Sequence, residues 1–218
     1  MPKELYFVVG AALVVGLLIW GSRLKAKRRS RAFEQAADDL GLAFRGDALH
    51  GDIMSSLRGT VSLFDQGRRR KITNAMSGQI EDLQLHVFDY RYTTGSGRNS
   101  RTHHQTVVAL HVANDSIPRF ELRPERFFHK IASVLGYQDI DLEEHPTFSK
   151  RYLLRGPDEE SIRALMTLEI IDHLLGAKDI CVEYAGGWMA LYRRHARVKP
   201  ESLPAFIDEA FSISNRLL

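Results

Sequence analysis

Between Leu5 and Gly21 the chain reads LYFVVGAALVVGLLIWG, without one charged residue. A surface helix keeps a polar stripe, so an apolar run of this length points to a membrane helix or an export signal. At 1.5 Å per residue it makes about 25 Å of helix, a little under the roughly 30 Å of bilayer hydrocarbon. Tyr6 and Trp20 stand near its ends, where amphipathic rings favour the interface. Ser22 and the long stems of Arg23 and Lys25 extend the span. An export signal needs a basic leader and a small-residue cleavage site, but Lys3 is offset by Glu4 and no Ala-x-Ala comes after the run. Instead the chain continues through Arg23, Lys25, Lys27, Arg28, Arg29 and Arg31, six of the 30 Lys and Arg. Such dense positive charge stays on the cytoplasmic side. The expectation is a single-pass, uncleaved signal anchor with the rest of the chain inside the cell. Ala12 and Gly16 form a small-xxx-small pair, though small residues are common in any membrane helix.

The expected division is 1–32 for the anchor and its basic segment, and 33–218 for one cytoplasmic domain large enough for its own core. The net charge of +3 owes much to the juxtamembrane cluster, so the remainder is near neutral and gives no electrostatic footprint for nucleic acid. Cys181 is the single cysteine, which excludes a disulfide framework and fits a reducing compartment.

Helical spacing of Phe33, Ala36, Ala37 and Leu40 before Gly41 predicts that the anchor helix continues as a rigid neck over 31–42. Ile53, Met54 and Leu57 suggest a further helical turn. The period then changes to two, predicting strands over 61–64, 72–80, 83–92 and 106–112, joined as an antiparallel meander. An amphipathic helix is expected over 124–135, closed by Gly136, and a strand over 151–154. A helical stretch from Pro157 to Gly176 has a break near Met166-Thr167. A hairpin is expected around Gly186-Gly187, and a last helix over 200–217. The class is α+β, an antiparallel sheet packed against helices.

Phe88-Asp89-Tyr90, the stretch from Phe120 through Glu121, Leu122, Arg123 and Pro124 to Glu125, and Pro146-Thr147-Phe148-Ser149 with Tyr152 carry a resemblance. Over 33–200 the chain resembles a family of bacterial single-pass membrane-anchored proteins with one cytoplasmic α+β domain and no established activity. The resemblance implies a bacterial inner-membrane location and one domain. It implies no catalytic residue.

Candidate chemistry is sparse. His86, His103, His104 and His111 could ligate a metal, but adjacent histidines in a strand point to opposite faces, and solvated or satisfied rings are the plainer account. Asp139, Asp141 and Glu143, followed by Glu144 and His145, could hold a hard cation, yet lack the glycine of an EF-hand loop. The Gly95–Arg101 loop has amides and guanidiniums for a phosphate but leads into a strand, where a phosphate loop would open a helix. There is no Gly-x-Ser-x-Gly elbow, and Cys181 sits in an apolar alternation. No cofactor and no catalytic or metal residues are expected.

In an up-and-down meander, alternate turns share one end. The turn near Gly67, with Arg68, Arg69, Arg70 and Lys71, and the turn near Gly97, with Arg98 and Arg101, would then form one basic surface for an anion or a partner. No aromatic residues interleave these charges, which again disfavours nucleic acid. The reading is a non-enzymatic interaction or scaffold module at the inner face of the membrane, with the bilayer and an unidentified protein as partners. Two alternatives stay open: an enzyme on a membrane-proximal substrate with a spatially assembled site, its mark a deep pocket at His104, Asp89 or the acidic loop, and an anionic-lipid-sensing domain.

Overall fold

A computed structural model of the chain describes residues 3–80, 83–112, 114, 116–125, 137 and 139–218, with the side chains of 3–9 and 11 left aside. Its spine is an eight-stranded sheet in the order β1-β2-β3-β4-β8-β7-β5-β6, with every neighbouring pair antiparallel. The strands are β1 (Ala43–Gly46), β2 (Arg68–Ile80), β3 (Leu83–Thr94), β4 (Arg101–His111), β5 (Phe120–Pro124), β6 (Tyr152–Arg155), β7 (Ile180–Ala185) and β8 (Trp188–Arg193). The helices are α1 (Lys3–Asp39), α2 (His50–Leu57), α3 (Pro146–Arg151), α4 (Glu159–Leu165), α5 (Leu168–Gly176) and α6 (Leu203–Leu217).

Period-two alternation divides the side chains between two cores. Leu85 and Val87 of β3, with Val108 and Leu110 of β4, face a larger core that receives Phe33 and Ala37 of α1 and the apolar stripe of α6. That stripe, Leu203, Phe206, Ile207, Ala210, Ile213 and Leu217, repeats at helical spacing, which is why this helix lies on the sheet. Phe88, Tyr90 and Tyr92 face the other way, into a smaller core covered by Ile53 and Leu57 of α2 and by Leu63 and Phe64.

The α+β class with an antiparallel sheet on helices stands. Gly41 closes α1 with φ +67°, the helical stretch breaks between Leu165 and Leu168, and Gly186 and Gly187 turn the last hairpin with φ +54° and +77°. Tertiary context overrides the local pattern elsewhere. Residues 61–64 form no strand: Ser62–Asp65 is a 3-10 turn, because its apolar side chains plug the smaller core from above. The meander strands run longer than expected, so the polar stretch after Tyr92 shrinks to a tight tip around the 3-10 turn Gly97–Asn99. β1, β5 and α3 carry too short a pattern to be recognised. Of the helix expected over 124–135, Pro124 ends β5, and 126–135, with its closing Gly136, lies outside the described residues.

The helix α1 runs through position 32 without a break. Among the described residues no helix is long and apolar enough to cross a membrane. The apolar run itself extends over 5–9 and 11, whose side chains are not among those described. Further along the run, Leu13, Val14, Leu17, Leu18 and Trp20 are each more than half exposed.

Gly67 joins the 3-10 turn to β2 at φ +61°, and a Cβ there would sit 2.5 Å from the Thr93 carbonyl oxygen. Gly67→Ala therefore adds left-handed strain and a backbone clash. It should lower stability by about 2–4 kcal/mol in denaturant unfolding of the full chain.

Candidate functional site: two buried ionic networks and a basic sheet end

The first network fixes the neck to the sheet. Arg29 lies on α1 one helical turn before Phe33, and its guanidinium stacks over the Phe33 ring at 4.8 Å. Its Nε donates to Asp89 Oδ2 at 2.5 Å and its Nη2 to Asp89 Oδ1 at 2.7 Å, a bidentate pair with Asp89 only 5% exposed. Asn74 Nδ2 and Thr106 Oγ1 donate to the remaining acceptor sites at 2.9 Å each, so four donors saturate the carboxylate. Asn74 reaches it from a bulge between Thr73 and Met76, with φ +54°, a conformation asparagine tolerates. Arg29 also donates to the Val198 carbonyl at 2.9 Å, which ties in the segment before α6. Arg29 thus turns into the domain, while its neighbours Arg23, Lys25, Lys27 and Arg31 stay exposed.

The second network lies under the 3-10 turn, on the smaller-core side. Glu183 of β7, 2% exposed, accepts from Tyr192 Oη at 2.6 Å, from Ser62 Oγ at 2.7 Å and from the Leu63 amide at 3.1 Å. Arg123 donates to Glu183 at 3.2 Å and is ion-paired with Glu121, its neighbour two residues back on β5. Glu121 stands opposite Glu183 across the β5–β7 ladder. Burial, then the Glu183 charge, pushes the Glu121 carboxyl up to about 7 against the pull of Arg123, Ser62 and Arg155. Burial, with the Glu183 charge behind it, raises the Tyr192 hydroxyl well above its ordinary range. Cys181 is wholly buried beside this group and its thiol is pushed up to about 12, so it stays protonated. A serine, two carboxylates and an arginine resemble hydrolytic machinery, but the cavity beside Ser62, Glu121 and Glu183 measures about 10 Å³. That admits at most one water. The cluster pins the turn across the sheet and offers no room for a substrate.

The third feature is a sheet end rich in positive charge. Arg68 stands opposite Thr93, and Arg101 opposite Thr94, so the start of β2 and the tip of the β3–β4 hairpin are neighbours. Arg68, Arg69, Arg98 and Arg101 are exposed. Two of the expected contact residues have partners within the chain. Arg70 donates to the Asp65 and Gln66 carbonyls, and Lys71 pairs with Asp47 at 2.7 Å.

The remaining candidates are dispersed. His86 and His111 flank Trp188, with ring centroids 5.5 and 4.9 Å away. His103 stacks on His195 at 4.2 Å, and His104 takes the opposite face. Burial and then arginine charges lower both His103 and His104. Asp139 is held by Arg155 at 2.5 Å, apart from the exposed Glu143 and Glu144. No three His, Cys, Asp or Glu side chains gather as metal ligands among the described residues. In the 95–101 loop the Asn99 and Ser100 amides bond back to Ser96 and Gly97, so they close the turn.

Comparison with known proteins gives one fold-level finding. No protein-family model matches the chain, and no curated protein matches it. Its fold is similar to the crystal structure of the mycobacterial trehalose monomycolate transport factor A, with a TM-score of 0.66 over 87% of this chain and 94% of that one. The identity is 11%, so the likeness extends to the fold alone.

Both networks can be tested by substitution. Arg29→Met leaves half of the acceptor sites of a buried carboxylate empty and should cost about 3–5 kcal/mol in denaturant unfolding, partly recovered when Asp89→Asn is added. Glu121 has a raised folded-state pKa, so its stabilising contribution is present below pH ~4.5 and is lost as pH rises through about 7. Glu121→Gln should match the parent at pH 4 and exceed it at pH 8 by on the order of 2 kcal/mol, measured by melting across that range.

Proposed function

We propose that the chain is a non-enzymatic interaction module, anchored by α1 and held at the inner face of a bacterial membrane, with a transport-associated role. The observation that carries this reading is the continuity of α1. One helix presents exposed apolar side chains between Leu13 and Trp20 and, a few turns on, is locked into the sheet by the saturated Arg29–Asp89 pair. A flexible tether would only tether; a helix that ends in the core fixes the height and the orientation of the domain. The exposed charges between the two segments suit the cytoplasmic headgroup region. The transport-associated part of the reading comes from the fold neighbour, whose name is that of a transport factor.

Membrane fractionation tests the anchor. The full chain should stay in the pellet through high-salt and alkaline washes, and a Val14→Glu, Leu17→Glu variant should be released. Release of the parent chain by salt alone would sink the reading. Crosslinking in those membranes, with mass spectrometry of captured proteins, should return a reproducible protein partner for the parent chain and lose it for the released variant.

A further inference from the structure

On the face of the sheet opposite α1, the end of α2 and the turn into β2 enclose an open groove of about 700 Å³. Its lining includes His50, Arg58, Arg68, Arg69 and Arg70, against one acid, Asp65. That acid is already occupied: its carboxylate accepts from the Gly59 amide at 3.1 and 3.2 Å and is only loosely approached by Arg58 at 4.0 Å. Arg70 is tied to the Asp65 and Gln66 carbonyls, which holds the groove floor. His50 Nδ1 accepts from the Ile72 amide at 3.1 Å, leaving its Nε2 to donate elsewhere.

Arg68 and Arg69 make no ion pair with any described residue, and the backbone redirects them. Two residues, Arg69 and Arg70, oppose Tyr92 alone in a bulge, and Arg69 takes φ +52°. A left-handed arginine costs about 1 kcal/mol or more, and such bulges re-aim side chains. Tyr90, 1% exposed, has a buried hydroxyl with no hydrogen-bond partner among the described residues, and the charges around it are Arg70, Asp65 and Arg58, all of the groove lining. Exposed guanidiniums without an ion pair, gathered along an open groove, describe a place for an anion with several acceptor oxygens.

The position of the groove says where that anion comes from. Leu42, just past α1, lies against Gly78, which pairs with Leu85, whereas Arg29 meets Asp89. Toward its apolar end, α1 therefore climbs in the direction in which β3 runs from Leu85 to Thr94. From Asp89 to Thr94 is roughly 17 Å of strand, equal to about 11 residues of helix, which brings the Arg68 end level with the region around residue 18. We infer that the groove at Arg58, Arg68 and Arg69 receives the phosphate of an anionic lipid headgroup from the bilayer that holds α1. The inference rests on the anchored reading above and adds a lipid class and a docking site to it.

The test uses the full chain in nanodiscs of phosphatidylcholine, with or without phosphatidylglycerol, and reads backbone hydrogen exchange across 58–70. Each basic contact near an anionic surface is worth about fivefold in affinity, so the anionic discs should slow exchange there by about fivefold or more, reversibly with salt. Arg58→Gln with Arg69→Asn, the asparagine suiting the left-handed backbone, should lose the protection. Arg98→Gln with Arg101→Gln, at the hairpin tip, should keep it. Equal exchange in both discs, with the chain still co-eluting, overturns the groove and leaves the anchor standing. Failure to co-elute with either disc overturns both. Protection by inorganic phosphate in neutral discs, equal to that in anionic discs, overturns lipid as the source.

Discussion

Everything distinctive about this molecule passes through one buried charge pair. A carboxylate at 5% exposure is costly to desolvate, and Asp89 is tolerated because four donors converge on it. Those donors come from α1, a bulge of β2 and strand β4, and Arg29 adds the chain entering α6. The pair is therefore less a source of net stability than a register pin. It fixes where along the sheet the helix sits and how it is rotated. An apolar contact would leave the helix freer to slide, since Phe33 and Ala37 alone specify a stripe and not a position.

The second network has the same logic on the other side of the sheet. Glu121, Arg123 and Glu183 sit where β5 and β7 meet, and the 3-10 turn Ser62–Asp65 closes over them. The geometry serves crossing the sheet: Ser62 and the Leu63 amide bring the turn down onto Glu183, while Phe64 and Leu63 enter the smaller core. The same turn then leads through Gly67 into the arginine bulge. Fold and surface are thus coupled, because the network that seals the core also presents Arg68 and Arg69.

The two networks together give the sheet two unlike ends. At one, the start of β2 meets the tip of the β3–β4 hairpin, and exposed arginines collect. At the other lie the paired Ile80 and Leu83 and the hydrophobic closure around Leu42 and Gly78.

Local patterning by itself determined much of this protein. The helical period of α6, the Gly186-Gly187 hairpin, the interruption at Met166-Thr167 and the closure at Gly41 were legible because each depends on neighbours in sequence. So was the antiparallel α+β class, and so were the arginines of the two turns. What only the tertiary structure decided depends on distant partners. Residues 61–64 alternate like a strand, yet their side chains are claimed by a core beneath them and their polar groups by Glu183, 120 residues from Leu63 in the chain. Arg29 is indistinguishable in sequence from the basic residues around it, and only the helix phase fixed by Phe33 turns it toward Asp89, 60 residues on. Arg70 and Lys71 look like Arg68 and Arg69 in sequence, but the fold brings the Asp65 and Gln66 carbonyls to Arg70 and Asp47 to Lys71. Charge is written in the sequence; whether a charge is free to meet a partner is settled by what the chain brings back beside it.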